Sequence, residues 1–182
     1  EQTNIIVLDG SVPGGVLPDI YEKMIRMANR RGVKTILDAA GHLLRKGVNA
    51  VPYLMKPNVN EFCETYGIDT GDRDAVLRKA GEIVETGVKY VCISLGQEGA
   101  YLLSREKWLY AEAVPVNIRG IQGAGDSMVA GFCLAINRGL PMEEMFAYGM
   151  AAAAGSLQYP GTEICSREDL ERLIPEVKIV QL

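Results

Sequence analysis

The sequence GIQGAGDSMVAGF occupies residues 120–132 and combines a glycine-rich turn with the start of an apolar helix. Three glycines and then one carboxylate, Asp126, stand directly before an apolar run with helical spacing. Gly123 and Gly125 have no Cβ, so the backbone can turn its N–H groups toward one point, and a helix starting near Asp126 adds a partial positive charge. The stretch therefore predicts an anion site at a helix start, suited to a phosphate or to the charge that develops on one during transfer.

Asp126 has two compatible interpretations at this helix start. Its carboxylate could accept the proton of an attacking hydroxyl, as a general base does. Alternatively, Asp126 is the N-cap of its helix, because Asp favours that position and glycines are common before helices. The spacing of the residues alone leaves both open.

The composition is that of a globular protein and argues against nucleic acids and membranes as partners. The chain has 182 residues, 48% of them hydrophobic, and we predict a single α/β domain over residues 1–182. A net charge of −4 supplies no basic field for phosphates along a nucleic acid, so we expect no nucleic-acid partner. No run reaches the roughly 18 apolar residues of a membrane span, so we expect no membrane partner. The scattered cysteines are typical of reduced thiols in a cytoplasmic protein: Cys63, Cys92, Cys133 and Cys165.

Helical and strand-like hydrophobic periods alternate along the chain. Strands are predicted at 5–8, 33–37, 54–56, 88–95 and 177–180, and helices at 18–31, 58–66, 72–86, 126–137 and 141–157, with a last helix capped by Ser166. Residues 99–118 read as a β-hairpin insertion with a turn near Arg105-Glu106. This alternation with short connections predicts a mostly parallel sheet covered by helices. A strand at the very start suggests that earlier chain is missing.

Two helices have a predicted inward face. In helix 18–31 this face is formed by Ile20, Met24, Met27 and Ala28. In helix 72–86 it is formed by Val76, Ala80, Ile83 and Val84.

A second candidate site, KPNVNE at 56–61, follows a predicted strand. Asn58 and Glu61 are three residues apart and share a helix face, where they could hold waters around Mg²⁺. The ammonium group of Lys56 could bind a negatively charged phosphate group. Alternatively, Asn58 caps the helix and Glu61 completes a capping box, and the residues alone favour this second interpretation.

A third candidate site, SLGQEG at 94–99, follows the strand with the strongest pattern. Its small residues, Ser94, Gly96 and Gly99, would let a flat ligand such as a nucleotide approach the backbone. A turn leading into the hairpin explains them equally well. The sequence has no GxxxxGK[ST] motif, which excludes a P-loop enzyme.

The order of these motifs resembles that of the ribokinase-like (PfkB) carbohydrate kinases, most closely the 1-phosphofructokinase and tagatose-6-phosphate kinase branch. The matching segments run through the whole chain: DGSVPGGV at 9–16, KTILDAAGHLL at 34–44, LMKPNVNEF at 54–62, ISLGQEGAYL at 93–102, GAGDSMVAGF at 123–132 and YGMAAAAGSLQYPGTEICS at 148–166. The resemblance implies a Rossmann-type sandwich with helices on both faces of the sheet. It also implies an N-terminal lid and sugar-binding part that this chain lacks.

The resemblance further implies transfer of the γ-phosphoryl group of ATP to a hydroxyl of a phosphosugar, with fructose 1-phosphate as the first choice of acceptor. Tagatose-6-phosphate kinase, 6-phosphofructokinase and a nucleotide-binding module without catalysis are the alternatives. Asp126 would be the catalytic base, and the amides of Gly123, Ala124 and Gly125 the anion hole. Asn58 and Glu61 would tune Mg²⁺ binding, while Lys56, Ser94, Gly96 and Gly99 would lie along the nucleotide. A homodimer through the missing lid is a further implication.

Two positions depart from the family pattern. Family members usually carry a hydroxyl residue where Ile121 stands and a polar residue where Gly120 stands. Both positions shape the approach to the anion hole.

Overall fold

The computed structural model describes residues 3–182 as an α/β protein in which strands and helices alternate. The strands are β1 (Ile5–Asp9), β2 (Lys34–Asp38), β3 (Leu54–Met55), β4 (Tyr90–Ser94), β5 (Ala100–Leu103), β6 (Trp108–Ala111) and β7 (Ile179–Gln181). The α-helices are α1 (Ile20–Asn29), α2 (Gly41–Val48), α3 (Val59–Tyr66), α4 (Arg73–Glu85), α5 (Ala124–Asn137), α6 (Met142–Ser156) and α7 (Arg167–Leu173). The strands form a seven-stranded sheet in chain order. The predicted α/β fold with a mostly parallel sheet is confirmed.

Residue contacts divide the chain into two compact units. The first contains the described residues up to Ser94 together with Leu102–Trp108, and the second contains Leu95–Tyr101 and Leu109–Leu182. The single domain over residues 1–182 stays a prediction. Within residues 3–182, no helix is both long enough and apolar enough to cross a bilayer.

The first unit is built on the parallel strands β1 to β4. Asp9 pairs with Asp38 across β1 and β2, and Met55 pairs with Val91 across β3 and β4. The interiors of β2, β3 and β4 are buried and mainly apolar, as expected for parallel strands covered on both faces, whereas in the edge strand β1 Val7 is 39% exposed. Because these strands run in the same direction, their carboxyl ends share one edge, and this edge carries the candidate residues of the first unit.

The predicted inward face is confirmed for α4; for α1 it is confirmed at Ala28 and wrong at Met24 and Met27. In α4 the buried residues are Val76, Ala80, Ile83 and Val84. In α1 they are Tyr21, Ile25 and Ala28, whereas Met24 and Met27 are 37% and 46% exposed. The Tyr21 hydroxyl donates to the carbonyl oxygens of Asp9 at 2.7 Å and Gly10 at 3.1 Å, so Tyr21 turns inward in place of the methionines.

The hairpin turn is confirmed, and the last strand begins later than predicted. The Ser104 N–H donates to the Lys107 carbonyl at 2.8 Å, which closes the turn around Arg105-Glu106. Strand β7 begins at Ile179, two residues after the predicted start, because a 3-10 turn at Ile174–Glu176 follows α7.

The second unit is dominated by the packing of α5 against α6. Both helices are mainly apolar, and a Cβ on Gly131 of α5 would lie 2.4 Å from the Tyr148 carbonyl oxygen of α6. The two helices therefore approach backbone to backbone at this glycine. A small core beside them joins α6 to α7 through Val114, Ala151, Ala154 and Leu173.

Candidate active site

The predicted site residues fall into two groups, one in each unit. Lys56, Asn58, Glu61 and Ser94 belong to the first unit. Gly96, Gly99 and residues 123–126 belong to the second.

Helix α5 begins two residues earlier than predicted, and this changes the position of Asp126. The N-cap is Gly123, in the left-handed conformation with φ 74° and ψ 3°, and the helix starts at Ala124. Asp126 is therefore the third helical residue, with an exposed side chain, and its interpretation as the N-cap is wrong. A carboxylate in this first turn still interacts favourably with the positive end of the helix dipole.

The backbone of residues 123–125 has the geometry of a helix start with free amides. The first helical hydrogen bond runs from the Ser127 N–H to the Gly123 carbonyl at 2.8 Å, so the N–H groups before Ser127 have no acceptor four residues back within the helix. A Cβ built on Gly123 would meet nothing within 4 Å, so the space in front of this turn is open. These amides can donate to an anion placed there.

Asp126 and Gly123 also line a cavity of the second unit. The cavity has a volume of about 650 Å³, and its lining continues along the exposed faces of α5, α6 and α7 to Arg138 and Leu170. A volume of this order holds a small molecule. The carboxylate of Asp126 therefore faces a space in which a ligand hydroxyl could approach it.

Asn58 and Glu61 form the capping box of α3. The Asn58 side-chain oxygen accepts from the Glu61 N–H at 2.9 Å, and Glu61 Oε2 accepts from the Asn58 N–H at 2.9 Å. The capping interpretation is therefore confirmed, and the role of the pair in Mg²⁺ binding stays a prediction. Asn58 also forms an isolated parallel bridge with Ser94, so the structure brings these two predicted residues together.

Lys56 is buried and paired with Asp38. Its side chain is 4% exposed, and its Nζ lies 2.9 Å from Asp38 Oδ2. Burial raises the pKa of Asp38 to about 6 against the lowering effect of Lys56, and the negative charges of Asp9 and Glu61 raise it further. Four charged side chains thus meet at the carboxyl edge of β1 to β3.

Sequence reasoning assigned no role to Asp38 or Asp9. The available signal was the position of each carboxylate, because both stand at the carboxyl end of a strand and pair with one another in register. In open α/β sheets, ligands bind outside that end of the strands.

Gly96 and Gly99 lie in the turn between β4 and β5. The Gly99 N–H donates to the Gly96 carbonyl at 3.2 Å, and the Leu95 N–H donates to the Gly99 carbonyl at 2.8 Å. Gly99 has φ 112°, and a Cβ on it would lie 2.0 Å from the Ala111 carbonyl oxygen. The turn interpretation is therefore confirmed, and contact of these glycines with a nucleotide stays a prediction.

Of the two positions before the anion site that depart from the family pattern, Gly120 and Ile121, the structure explains the first. A Cβ on Gly120 would lie 2.6 Å from the Tyr159 carbonyl oxygen, so the backbone leaves no room for a polar side chain there. Ile121 is 72% exposed, and nothing in the structure explains its apolar side chain.

Known proteins resemble this chain over its whole length. The family model described as "pfkB family carbohydrate kinase" matches residues 1–169. The 1-phosphofructokinase of Bacillus subtilis is 33% identical over 182 residues, which is 100% of this chain and 59% of that protein. The ATP-dependent 6-phosphofructokinase isozyme 2 of Escherichia coli is 32% identical over 175 residues, which is 95% of this chain and 57% of that protein.

Solved structures agree with these relatives. The phosphofructokinase-2 of Escherichia coli in complex with potassium superposes with a TM-score of 0.89 at 31% identity, covering 96% of this chain and 57% of that chain. The same enzyme in complex with substrates and products gives a TM-score of 0.87 at 32% identity, with coverages of 94% and 56%. The chain thus spans somewhat under three fifths of the length of these relatives. Since the family model covers nearly all of its residues, the chain belongs to the pfkB family of carbohydrate kinases.

Proposed function

We propose that the chain is the nucleotide-binding and catalytic-base portion of an ATP-dependent phosphosugar kinase that phosphorylates fructose 1-phosphate. The observation that carries this proposal is the glycine-capped start of α5, where free amides and the exposed carboxylate of Asp126 occupy one helical turn. Phosphoryl transfer requires mainly positioning and electrostatic stabilisation, and both can come from such a turn.

Asp126 is the general base in this proposal. Its carboxylate takes the proton of the acceptor hydroxyl, whose oxygen forms a bond to the γ-phosphorus as the bond from that phosphorus to the ADP oxygen breaks. The amides of Gly123, Ala124 and Gly125 donate to the phosphoryl oxygens and stabilise the charge that develops on them. The open space in front of Gly123 supports this assignment.

Lys56, Asn58, Ser94, Gly96 and Gly99 are the nucleotide-binding residues in this proposal. Lys56 supports this role because its ammonium group is fixed at one place by Asp38, 2.9 Å away. A fixed cation interacts with phosphate charge without first losing side-chain freedom.

Mg²⁺ fits the acidic residues at the edge of the first unit. The donors there are carboxylate oxygens of Asp38 and Glu61 and the amide oxygen of Asn58, the hard oxygen ligands that Mg²⁺ takes, often through water. Glu61 uses Oε2 in the capping box, so its Oε1 is the atom available to a cation or its water. When bound, Mg²⁺ supplies positive charge that neutralises phosphate oxygens.

Fructose 1-phosphate is the proposed acceptor, and a homodimer is the proposed assembly. The relatives include 1-phosphofructokinases and 6-phosphofructokinases, so fructose 6-phosphate is tested beside fructose 1-phosphate. Tagatose 6-phosphate is the third acceptor because the motifs also resemble the tagatose-6-phosphate kinase branch. One solved relative is described as a tetrameric inhibited form of the Escherichia coli enzyme. For this protein we propose a homodimer through the lid that the family places N-terminal to these motifs.

A coupled ADP-release assay on the intact gene product tests the proposal with each of the three acceptors. We expect ADP release with fructose 1-phosphate, and a fall in kcat of about 10²–10⁴-fold in Asp126→Asn with little change in the KM for ATP. Asp74→Asn is the matched control, because Asp74 is also an exposed Asp in the first turn of a helix. An Asp126→Asn variant that keeps most of the activity would show that Asp126 is not the base.

The second candidate function is a nucleotide-binding module without catalysis. In that case ATP would protect the protein against thermal unfolding, and Gly125→Val would abolish the protection, but no acceptor would cause ADP release. The same assay therefore separates the two functions.

A further inference from the structure

The loop before the anion hole is held by the C-terminal end of α6. The N–H groups of Arg119 and Gly120 both donate to the Leu157 carbonyl, at 2.8 and 3.3 Å. The Gly120 backbone also lies so close to the Tyr159 carbonyl oxygen that no Cβ would fit between them. The position of residues 119–120 therefore follows the position of residues 157–159.

Tyr159 is fixed in turn by a carboxylate of α7. Its hydroxyl donates to Asp169 Oδ2 at 2.6 Å. The same oxygen accepts from the Ser166 hydroxyl at 2.6 Å, and Asp169 Oδ1 accepts from Arg172 at 3.0 Å. These hydrogen bonds hold the pKa of Asp169 down at about 2, so the carboxylate is ionised at neutral pH and its hydrogen bonds are charge-assisted.

These contacts form a continuous connection to the proposed anion hole. It runs from Asp169 through the Tyr159 side chain to the Tyr159 backbone, then to Gly120, which lies three residues before the N-cap Gly123. We call the Tyr159–Asp169 hydrogen bond, together with the contacts of residues 157–159 to Arg119 and Gly120, the α7 clamp. All of its members lie in the second unit.

We propose that Tyr159 and Asp169 are positioning residues for the reaction: through the α7 clamp they set the placement of the amides at 123–125 that receive the transferred phosphoryl group. This inference rests on the proposed function, since an anion hole is what the clamp places. Neither residue touches the reacting atoms in this account. A misplacement of about 1 Å at such a site can lower the rate about 100-fold, so a modest loosening of the loop has a measurable effect.

Tyr159→Phe tests the clamp because it removes only the hydroxyl. In the intact gene product we expect kcat to fall about tenfold and the KM for ATP to change less than about twofold, since the amides act on charge that develops in the transition state. We also expect hydrogen–deuterium exchange at the amides of Arg119 and Gly120 to become about tenfold faster, through easier local opening. The matched control for the exchange measurement is Tyr148→Phe, which removes a hydroxyl bonded to Arg138 at 3.0 Å and should leave the exchange at these amides unchanged.

The two measurements separate the two proposals. If the wild-type protein releases no ADP with any acceptor, the proposed function fails, whereas the exchange rates still decide whether the clamp holds the loop. Unchanged exchange at residues 119–120 in Tyr159→Phe, or an equal change in Tyr148→Phe, would overturn the clamp. If Tyr159→Phe does not fold, Asp169→Asn takes its place, because the amide keeps the size of the side chain and one acceptor oxygen. It should accelerate exchange at the same amides by a smaller factor. No acceleration of exchange would overturn the clamp.

Discussion

Asp38 should make the protein less stable as the pH rises from about 4 to about 6. Its pKa is 3.8 in the unfolded chain and about 6 in the folded protein, because burial disfavours the charged form more than Lys56 favours it. The folded state therefore holds the proton more tightly, so this stabilisation is present below pH 3.8 and is lost as the pH passes 6. A difference of about 2 pKa units at about 1.4 kcal/mol each corresponds to a loss of about 3 kcal/mol in the free energy of unfolding.

Urea unfolding of the wild type and of Asp38→Asn between pH 4 and pH 8 measures this effect. Trp108, the only tryptophan in the sequence, lies in the same unit and packs against Gly81, so its fluorescence reports the relevant transition. The wild-type free energy of unfolding minus that of Asp38→Asn should fall by about 2 kcal/mol across this range, because the amide does not titrate and part of the effect is already lost at pH 4.

Lys56→Met is the second variant in this experiment. Since Lys56 lowers the pKa of Asp38, its loss should move the fall in stability to a pH above 6. If the free energy of unfolding of the wild type minus that of Asp38→Asn is constant with pH, or rises with pH, then the ion pair outweighs burial and the pKa of Asp38 is not raised.

Two further predictions concern stability and use the same unfolding measurement. Asn58→Ala removes one half of the capping box of α3 and should lower the free energy of unfolding by about 1 kcal/mol, whereas the exposed Asn60→Ala on the same helix should change it by less than about 0.5 kcal/mol; equal effects would contradict the capping role. Gly99→Ala should cost about 3 kcal/mol or more, because its Cβ would lie 2.0 Å from the Ala111 carbonyl oxygen and its φ is 112°. Gly96→Ala, which has a positive φ of 62° but open space, should cost only about 1 kcal/mol, and a reversed order would show that the turn is not as described.

The long elements could be predicted from sequence because their signals are local. Helix α4 carries a periodic apolar face and begins after the capping residue Asp72, whereas α6 is a long, mainly apolar helix that begins after Pro141. The ends of both helices lie within one residue of the prediction. The eight-residue helix α2, by contrast, was not predicted. A helix of only two turns shows too few periods to stand out, and its formation depends on packing against the sheet.

The inward face of α1 depended on a contact that the pattern does not show. Apolar or aromatic residues stand at positions 20, 21, 24, 25, 27 and 28 of this helix, which allows more than one inward face. The choice was made by the Tyr21 hydroxyl, which binds the carbonyl oxygens of residues 9 and 10 in another element. A hydrophobic pattern within one helix cannot predict which face is fixed by a contact with another element.

In the candidate site, too, local motifs could be predicted from sequence and contacts between elements could not. The glycine turn before α5 and the box of Asn58 and Glu61 are local motifs, and both were located from sequence. The pair of Asp38 and Lys56 was missed because it depends on the register of β2 and β3. Leu37 pairs with Met55, so the residues that follow them, Asp38 and Lys56, also lie side by side. Register between neighbouring strands is a property of the folded sheet.

The most direct test of the account is a crystal structure of the intact gene product with a non-hydrolysable ATP analogue and fructose 1-phosphate. We predict that oxygens of the terminal phosphate lie within about 3.2 Å of the backbone nitrogens of residues 123–125, with the acceptor hydroxyl at a similar distance from the Asp126 carboxylate. A terminal phosphate bound away from this turn would contradict the assignment of the anion hole and, with it, the role of Asp126 as the base.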